Sequence, residues 1–104
     1  MKLLITNYVH GAIDRLKEVV KKHKDVDFHL NAGDMCLAKH VYEPMHIITV
    51  KGNNDFGSNE PYMRILDLKG LKVMLTHGHK EHVKYSLGTL KHIALAKQVD
   101  MVIF

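Results

Sequence analysis

The chain has 104 residues, 46% of them hydrophobic and 25% charged, which is typical of one small globular domain. The single cysteine, Cys36, excludes an intramolecular disulfide and a cysteine zinc cage, so we expect a cytoplasmic protein. No stretch is long and apolar enough to span a membrane, and no membrane partner is expected. The net charge is +4, but the lysines are scattered among acids and apolar residues, so we expect no nucleic-acid partner.

Strand and helix patterns alternate along the chain. KLLIT (2–6) is an apolar run typical of a strand covered on both faces. Segment 12–24 carries apolar residues at helical spacing and predicts an amphipathic helix. The later predicted elements are strands at 26–30 and 46–50, a hairpin of 62–68 with 72–76, a helix at 82–98 interrupted by Gly88, and a strand at 100–104. This order predicts an α/β fold with a mostly parallel sheet flanked by helices.

Four of the predicted strands are followed by a metal-competent side chain beside a glycine. These pairs occur in His10-Gly11, Gly33-Asp34, Gly52-Asn53-Asn54-Asp55 and His77-Gly78-His79. Ligand sites in parallel sheets form beyond the carboxyl ends of the strands, so we expect these side chains to meet there. Imidazole, carboxylate and amide oxygen are ligands that suit manganese, iron, zinc or nickel.

The segments LLITNYVHG, NAGD, VKGNND and LTHGH, in this order and spacing, resemble the motifs of small calcineurin-like metallophosphoesterases. The resemblance is to the compact bacterial and archaeal phosphodiesterases with an αββα sandwich, and it spans Met1 to Phe104. It implies a fold like the first part of that sandwich and a small phosphate ester as substrate. It also implies a divalent metal cofactor, with manganese first and zinc, iron or nickel as the other choices.

The resemblance also implies a role for each motif residue. The metal ligands would be His10, the bridging carboxylate Asp34, Asn53 and His77. Asn54 and Asp55 would occupy the catalytic positions beside the scissile phosphate. Asn54 and His79 would contact the substrate, whereas His82 would face solvent.

Two departures from the family pattern predict a degenerate metal site. Tyr8 stands where the family has aspartate, and a phenol with a pKa near ~10 is a poor ligand at neutral pH. We expect its hydroxyl to replace the lost carboxylate in hydrogen bonding. The family's Gly-His-x-His motif would follow DMVIF, where this sequence stops. One metal would then keep only His10 and Asp34, whereas the other would keep Asp34, Asn53 and His77.

Three hypotheses follow from these departures. The domain is a metal-dependent phosphodiesterase or phosphatase, a non-catalytic scaffold or regulatory protein of the same fold, or a truncated product of an ordinary enzyme. Scaffolds of this fold are known, the retromer subunit among them. We expect residues 1–104 to form one incomplete domain that lacks the rest of its second sheet. An uncovered sheet face would drive association, so we also expect a homodimer.

The other histidines are predicted to be solvated or on strand surfaces. They are His23, His29, His40, His46 and His92. Most of the methionines are expected to serve only in packing.

Overall fold

Two three-stranded sheets packed face to face form the framework of the domain. The computed structural model describes residues 1–7 and 9–104. The strands are β1 (Leu3–Thr6), β2 (Phe28–Asn31), β3 (Ile47–Thr49), β4 (Met63–Leu68), β5 (Leu71–Thr76) and β6 (Met101–Ile103). The helices are α1 (Ile13–Lys22), α2 (Lys39–Tyr42) and α3 (Gly88–Ala96), with a short 3₁₀ turn at Glu43–Met45.

The strand pairings confirm a mostly parallel α/β fold. The first sheet has the order β1-β2-β3 and is entirely parallel. In the second sheet, β4 pairs antiparallel with β5, and β5 pairs parallel with β6. The predicted hairpin is therefore present, but it belongs to a separate sheet instead of extending the first one.

The main core lies between the two sheets. Its buried members are Leu30, Ala32 and Val50 from the first sheet, and Leu68, Val73, Leu75 and Ile103 from the second. The expectation that one face of the first sheet would be uncovered is therefore wrong, because β4, β5 and β6 supply apolar side chains to that face. The uncovered face was the reason for expecting a homodimer. The homodimer remains a prediction, but this reason for it no longer holds.

A second apolar cluster covers the other face of the first sheet. It consists of Leu16 from α1, Tyr42 from α2, Ile47 from β3, and Met35 from the loop after β2. Leu16 is the buried residue of the helical stripe predicted from the sequence. Within the described residues, no helix is long and apolar enough to cross a bilayer.

The last predicted helix is shorter than its sequence pattern suggested. Residues 79–85 form turns, and α3 begins only at Gly88. The Val83 N–H donates to the Gly78 carbonyl at 3.2 Å, which folds this segment back onto the end of β5. The Ser86 hydroxyl accepts from the Gly88 N–H at 3.0 Å. Gly88 is thus the first residue of a helix, so the expected interior glycine defect is absent.

His29 is buried within β2, contrary to the prediction that it would be solvated or on a strand surface. It is 6% exposed, and its Nε2 lies 2.8 Å from the Thr6 hydroxyl. The Asn31 amide donates to that hydroxyl at 3.0 Å, and the hydroxyl has a proton of its own that it can donate to Nε2 of a neutral imidazole. The other four histidines of that group, those at positions 23, 40, 46 and 92, are exposed as predicted.

The buried imidazole should make stability depend on pH. Burial lowers the pKa of His29 below its ordinary value of 6.5. As the pH falls through 6.5, the unfolded chain therefore binds more protons at this imidazole than the folded chain does, and stability is lost. We expect the unfolding free energy to decrease there by up to about 1.4 kcal/mol per pH unit from this group.

Denaturant titrations between pH 5 and 8 measure this contribution. The decrease should be smaller in His29→Gln, whose side chain does not titrate. The exposed His92→Gln variant should retain the wild-type pH dependence. Equal pH dependence in the wild type and in His29→Gln would contradict a neutral buried imidazole.

Candidate functional site

The loops that follow the strands of both sheets meet at one edge, as predicted, and Asp34 lies at their centre. Asp34 is 1% exposed and has a left-handed backbone with φ of 57°. The loop after β1 is fastened to this one by backbone hydrogen bonds from His10 N to the Asp34 carbonyl (3.1 Å) and from Gly11 N to the Met35 carbonyl (2.9 Å). Left-handed non-glycine residues store strain that the surrounding contacts must hold. His10 and Cys36 share this conformation, with φ of 49° and 56°.

Two glycines allow the loops around Asp34 to approach one another closely. A Cβ on Gly52 would lie 2.1 Å from Asp34 Oδ1 and 2.5 Å from its backbone nitrogen. A Cβ on Gly33, whose φ is +102°, would lie 2.9 Å from the His77 side chain. The glycines of these motifs are therefore required for close approach between three loops.

Asp34 gathers the histidines and Asn54 around its carboxylate. His77 Nε2 lies 3.2 Å from Asp34 Oδ2, and the His77 side chain is 7% exposed. The more exposed His10 places its Nε2 3.9 Å from the same oxygen. Asn54 donates its backbone N–H to Oδ1 and its side-chain amide to Oδ2, both at 2.9 Å. Asn53 is exposed beside this group.

Asp34 is held as an anion. Burial favours its protonated form, but the two hydrogen bonds from Asn54 and the nearby imidazoles outweigh burial and lower the pKa of the carboxyl. An ionised carboxylate between imidazoles is a donor arrangement that suits divalent transition metals.

Asp55 forms a clip between two loops. Its Oδ2 accepts the backbone N–H groups of Asp34 at 2.8 Å and Gly52 at 2.7 Å, and its Oδ1 accepts that of Cys36 at 2.8 Å. The carboxylate is buried, with the residue 9% exposed. These contacts give Asp55 the geometry of a positioning residue, and its predicted catalytic role stays a prediction.

His77 and His79 are linked through their rings. Their Nδ1 atoms lie 3.1 Å apart, so one must carry a proton and the other must accept it. Burial, followed by the nearby His77 and Lys80, lowers the pKa of His79 and favours its neutral form. If His77 uses Nε2 as a ligand, its Nδ1–H donates to His79, which would fix the orientation of the ring.

A basic rim stands beside His79. The Tyr62 ring meets the His79 ring edge-on, with the ring centres 5.4 Å apart. The ammonium groups of Lys80 and Lys51 lie 4.6 and 5.4 Å from the centre of the Tyr62 ring. Positive charge on this side suits an anionic substrate.

Two buried residues near the site were not predicted to have any role. Asn31 is fully buried, and its Oδ1 accepts the Gly33 N–H at 2.9 Å and the Thr49 hydroxyl at 3.0 Å, so it anchors the loop that carries Asp34. Glu81 is 3% exposed and accepts the Thr76 hydroxyl at 2.9 Å beneath the His77 loop. The only sequence signal for Asn31 was a polar residue ending an apolar strand, and Glu81 had none.

The donor set fits a divalent ion in part. Two ligands bound about 2.1 Å from one ion lie about 3.0–3.4 Å apart, and the His77–Asp34 distance of 3.2 Å matches this spacing. Across residues 1–7 and 9–104, however, no three His, Cys, Asp or Glu side chains are grouped to hold a metal. The prediction that the Tyr8 hydroxyl replaces a lost ligand carboxylate concerns a position outside the described residues.

Comparison with known proteins decides the family. The model of the calcineurin-like phosphoesterase superfamily domain matches residues 1–104. The chain belongs to this superfamily. The resemblance drawn from the four motifs is therefore confirmed.

Individual members of the superfamily support the assignment. "Probable metallophosphoesterase YsnB" of Bacillus subtilis (strain 168) is 31% identical over 107 residues, covering all of this chain and 62% of YsnB. A predicted phosphoesterase from Streptococcus pneumoniae TIGR4 is 25% identical with a TM-score of 0.87, covering 97% of this chain and 59% of its own. Zinc-complexed Vps29 from Entamoeba histolytica is 18% identical with a TM-score of 0.73, and the match covers 98% of this chain and 62% of Vps29. At this identity, the match shows a shared fold only. The chain thus spans about three fifths of the length of these proteins.

Proposed function

We propose that this domain is a divalent-metal-dependent phosphoesterase that acts on a small phosphodiester or phosphomonoester. The observation that carries the proposal is the ionised Asp34 carboxylate, which is buried 3.2 Å from His77 Nε2 at the edge where the loops after the strands meet. In this proposal Asp34, Asn53 and His77 hold one ion, and His10 marks the remnant of a second site. Manganese is the first choice for this set of oxygen and nitrogen ligands.

Each remaining residue has a task that its contacts support. A bound divalent ion would acidify water and offset phosphoryl charge. Asn54 has a side-chain amide beside Asp34 that can donate to a phosphoryl oxygen once it is released from Oδ2. Asp55 keeps the loops of Asp34 and Gly52 together. His79 orients His77, and the lysines beside Tyr62 attract the anionic ester.

Hydrolysis of bis-p-nitrophenyl phosphate by metal-stripped protein, with and without added manganese, tests the proposal. We expect turnover that depends on manganese and falls at least ~100-fold in Asp34→Ala, because a metal ligand is lost. Asp14→Ala, which removes an aspartate from the exposed first turn of α1, should leave turnover unchanged. Turnover that is independent of both manganese and Asp34 would contradict the proposal.

A non-catalytic scaffold is the second candidate function. Tyr8, at the position where the family has aspartate, favours it, because that change removes a ligand from the two-metal centre. The fold shared with Vps29 is compatible with it. Manganese binding by Asp34 without turnover would favour the scaffold, and a cytoplasmic location is part of both proposals.

A further inference from the structure

A cleft of about 540 Å³ adjoins the candidate site. One wall is the segment from Cys36 to α2, and the other is the loop from Asn54 to Glu60. Its floor includes Met35 and Val50, which are 2% and 1% exposed. A volume of this size is within the range of small-molecule sites.

The cleft is continuous with the site through Asn54. Asn54 lines one end of the cleft, and its backbone and side-chain nitrogens both contact Asp34. A phosphate ester bound beside Asp34 would therefore have an attached organic group at the mouth of the cleft.

The walls suit an uncharged group. Glu60 is a partly buried carboxylate at the far end. It pairs with Arg64 at 2.5 Å, accepts the Tyr42 hydroxyl at 2.8 Å and lies 3.9 Å from the exposed ammonium group of Lys39, so its charge is offset. The Asp55 carboxylate is taken up by backbone N–H groups.

The mouth of the cleft carries an aromatic side chain with little cover. Phe56 is 89% exposed, although it directly follows the buried Asp55 and lines the cleft. A second flat ring could stack on Phe56 while its edge contacts Leu37 and Ala38, which also line the cleft. An aliphatic group of one or two carbons would leave both the ring and the apolar floor in contact with water.

We propose that this cleft, lined by Met35, Leu37, Ala38, Tyr42, Val50 and Phe56, binds the aromatic group of a phosphate ester whose phosphoryl group lies beside Asp34. This inference rests on the proposed function and narrows its substrate class to aryl or similarly planar esters. Phe56 and Ala38 then set specificity without touching the reacting atoms.

Binding of two non-hydrolysable phosphonates tests the cleft without requiring turnover. In the presence of Zn²⁺, phenylphosphonate should bind at least about fivefold more tightly than methylphosphonate, as partial burial of one ring predicts. Phenylphosphonate should also shift the amide NMR signals of Leu37, Tyr42 and Phe56. Ala38→Trp, which fills the cleft, and Phe56→Ala, which removes the stacking ring, should bring the two affinities close together and leave that for methylphosphonate unchanged.

A matched control is the Tyr85→Ala variant, because Tyr85 is 85% exposed and lies outside the cleft. It should keep the phenyl preference. Equal affinity for the two phosphonates, binding of neither, or a preference unchanged in both cleft variants would overturn the inference. A phenyl preference in a protein that hydrolyses no ester would support the cleft and reject the proposed function. Manganese-dependent turnover without a phenyl preference would support the proposed function and reject the cleft.

Discussion

Replacing Asp55 with alanine should lower the unfolding free energy by about 3–5 kcal/mol, because three backbone N–H groups lose their acceptor. The donors belong to Asp34, Cys36 and Gly52, in two loops that are also joined by the hydrogen bonds from Asn54 to Asp34. Denaturant titration measures the loss. Asp55→Asn, which keeps the shape and one acceptor oxygen, should lose only about 1–2 kcal/mol.

The control for this change is Asp67→Ala. Asp67 also accepts a backbone N–H, that of Gly70 at 2.8 Å, but it does so at an exposed turn. Asp67→Ala should lower the unfolding free energy by well under half as much as Asp55→Ala, because water replaces the lost acceptor. An Asp55→Asn protein with wild-type stability but no turnover would instead assign Asp55 a direct chemical role.

Replacing Gly52 with alanine should lower the unfolding free energy by about 2–4 kcal/mol and should also abolish the metal binding proposed for Asp34. The new Cβ would lie 2.5 Å from the Asp34 backbone nitrogen, so the backbone itself must move. That movement separates Asp34 from both Asp55 and Asn54. Denaturant titration and calorimetric titration with manganese measure the two effects separately.

Gly88→Ala is the matched control for a glycine substitution. Gly88 opens α3, and the nearest atom to a Cβ there is the Ser86 hydroxyl oxygen at 3.3 Å. The unfolding free energy of this variant should change by less than about 1 kcal/mol, and the proposed metal binding should be retained. If Gly52→Ala kept both its stability and its metal affinity, the close packing of these two loops would be refuted.

The features predictable from the sequence were those encoded by local patterns. The hairpin predicted at 62–68 and 72–76 is found at Met63–Leu68 and Leu71–Thr76. The apolar runs of the first three strands placed His10, Asp34 and Gly52 at one edge, because the carboxyl ends of parallel strands lie together. His77 lies at the same edge because it directly follows β5 of the second sheet.

Features that depend on a distant partner were not predictable. The division into two sheets depends on how β4 packs, since β3 and β4 read alike as strands. The burial of His29 depends on Thr6, a hydroxyl from another strand. The short α3 depends on Val83 folding back onto Gly78, because the helical spacing of 82–98 is equally good without that contact.

Within the described chain, the hairpin is the one strand pair whose partners are sequence neighbours, joined through Lys69 and Gly70. The other pairs join residues far apart, such as Leu3 with Phe28 and Val73 with Met101. Because closing a longer loop costs more chain entropy, we expect the hairpin to form first and the parallel pairs later. The loops around Asp34 depend on those later pairs, so a ligand bound there should slow unfolding and leave the folding rate nearly unchanged.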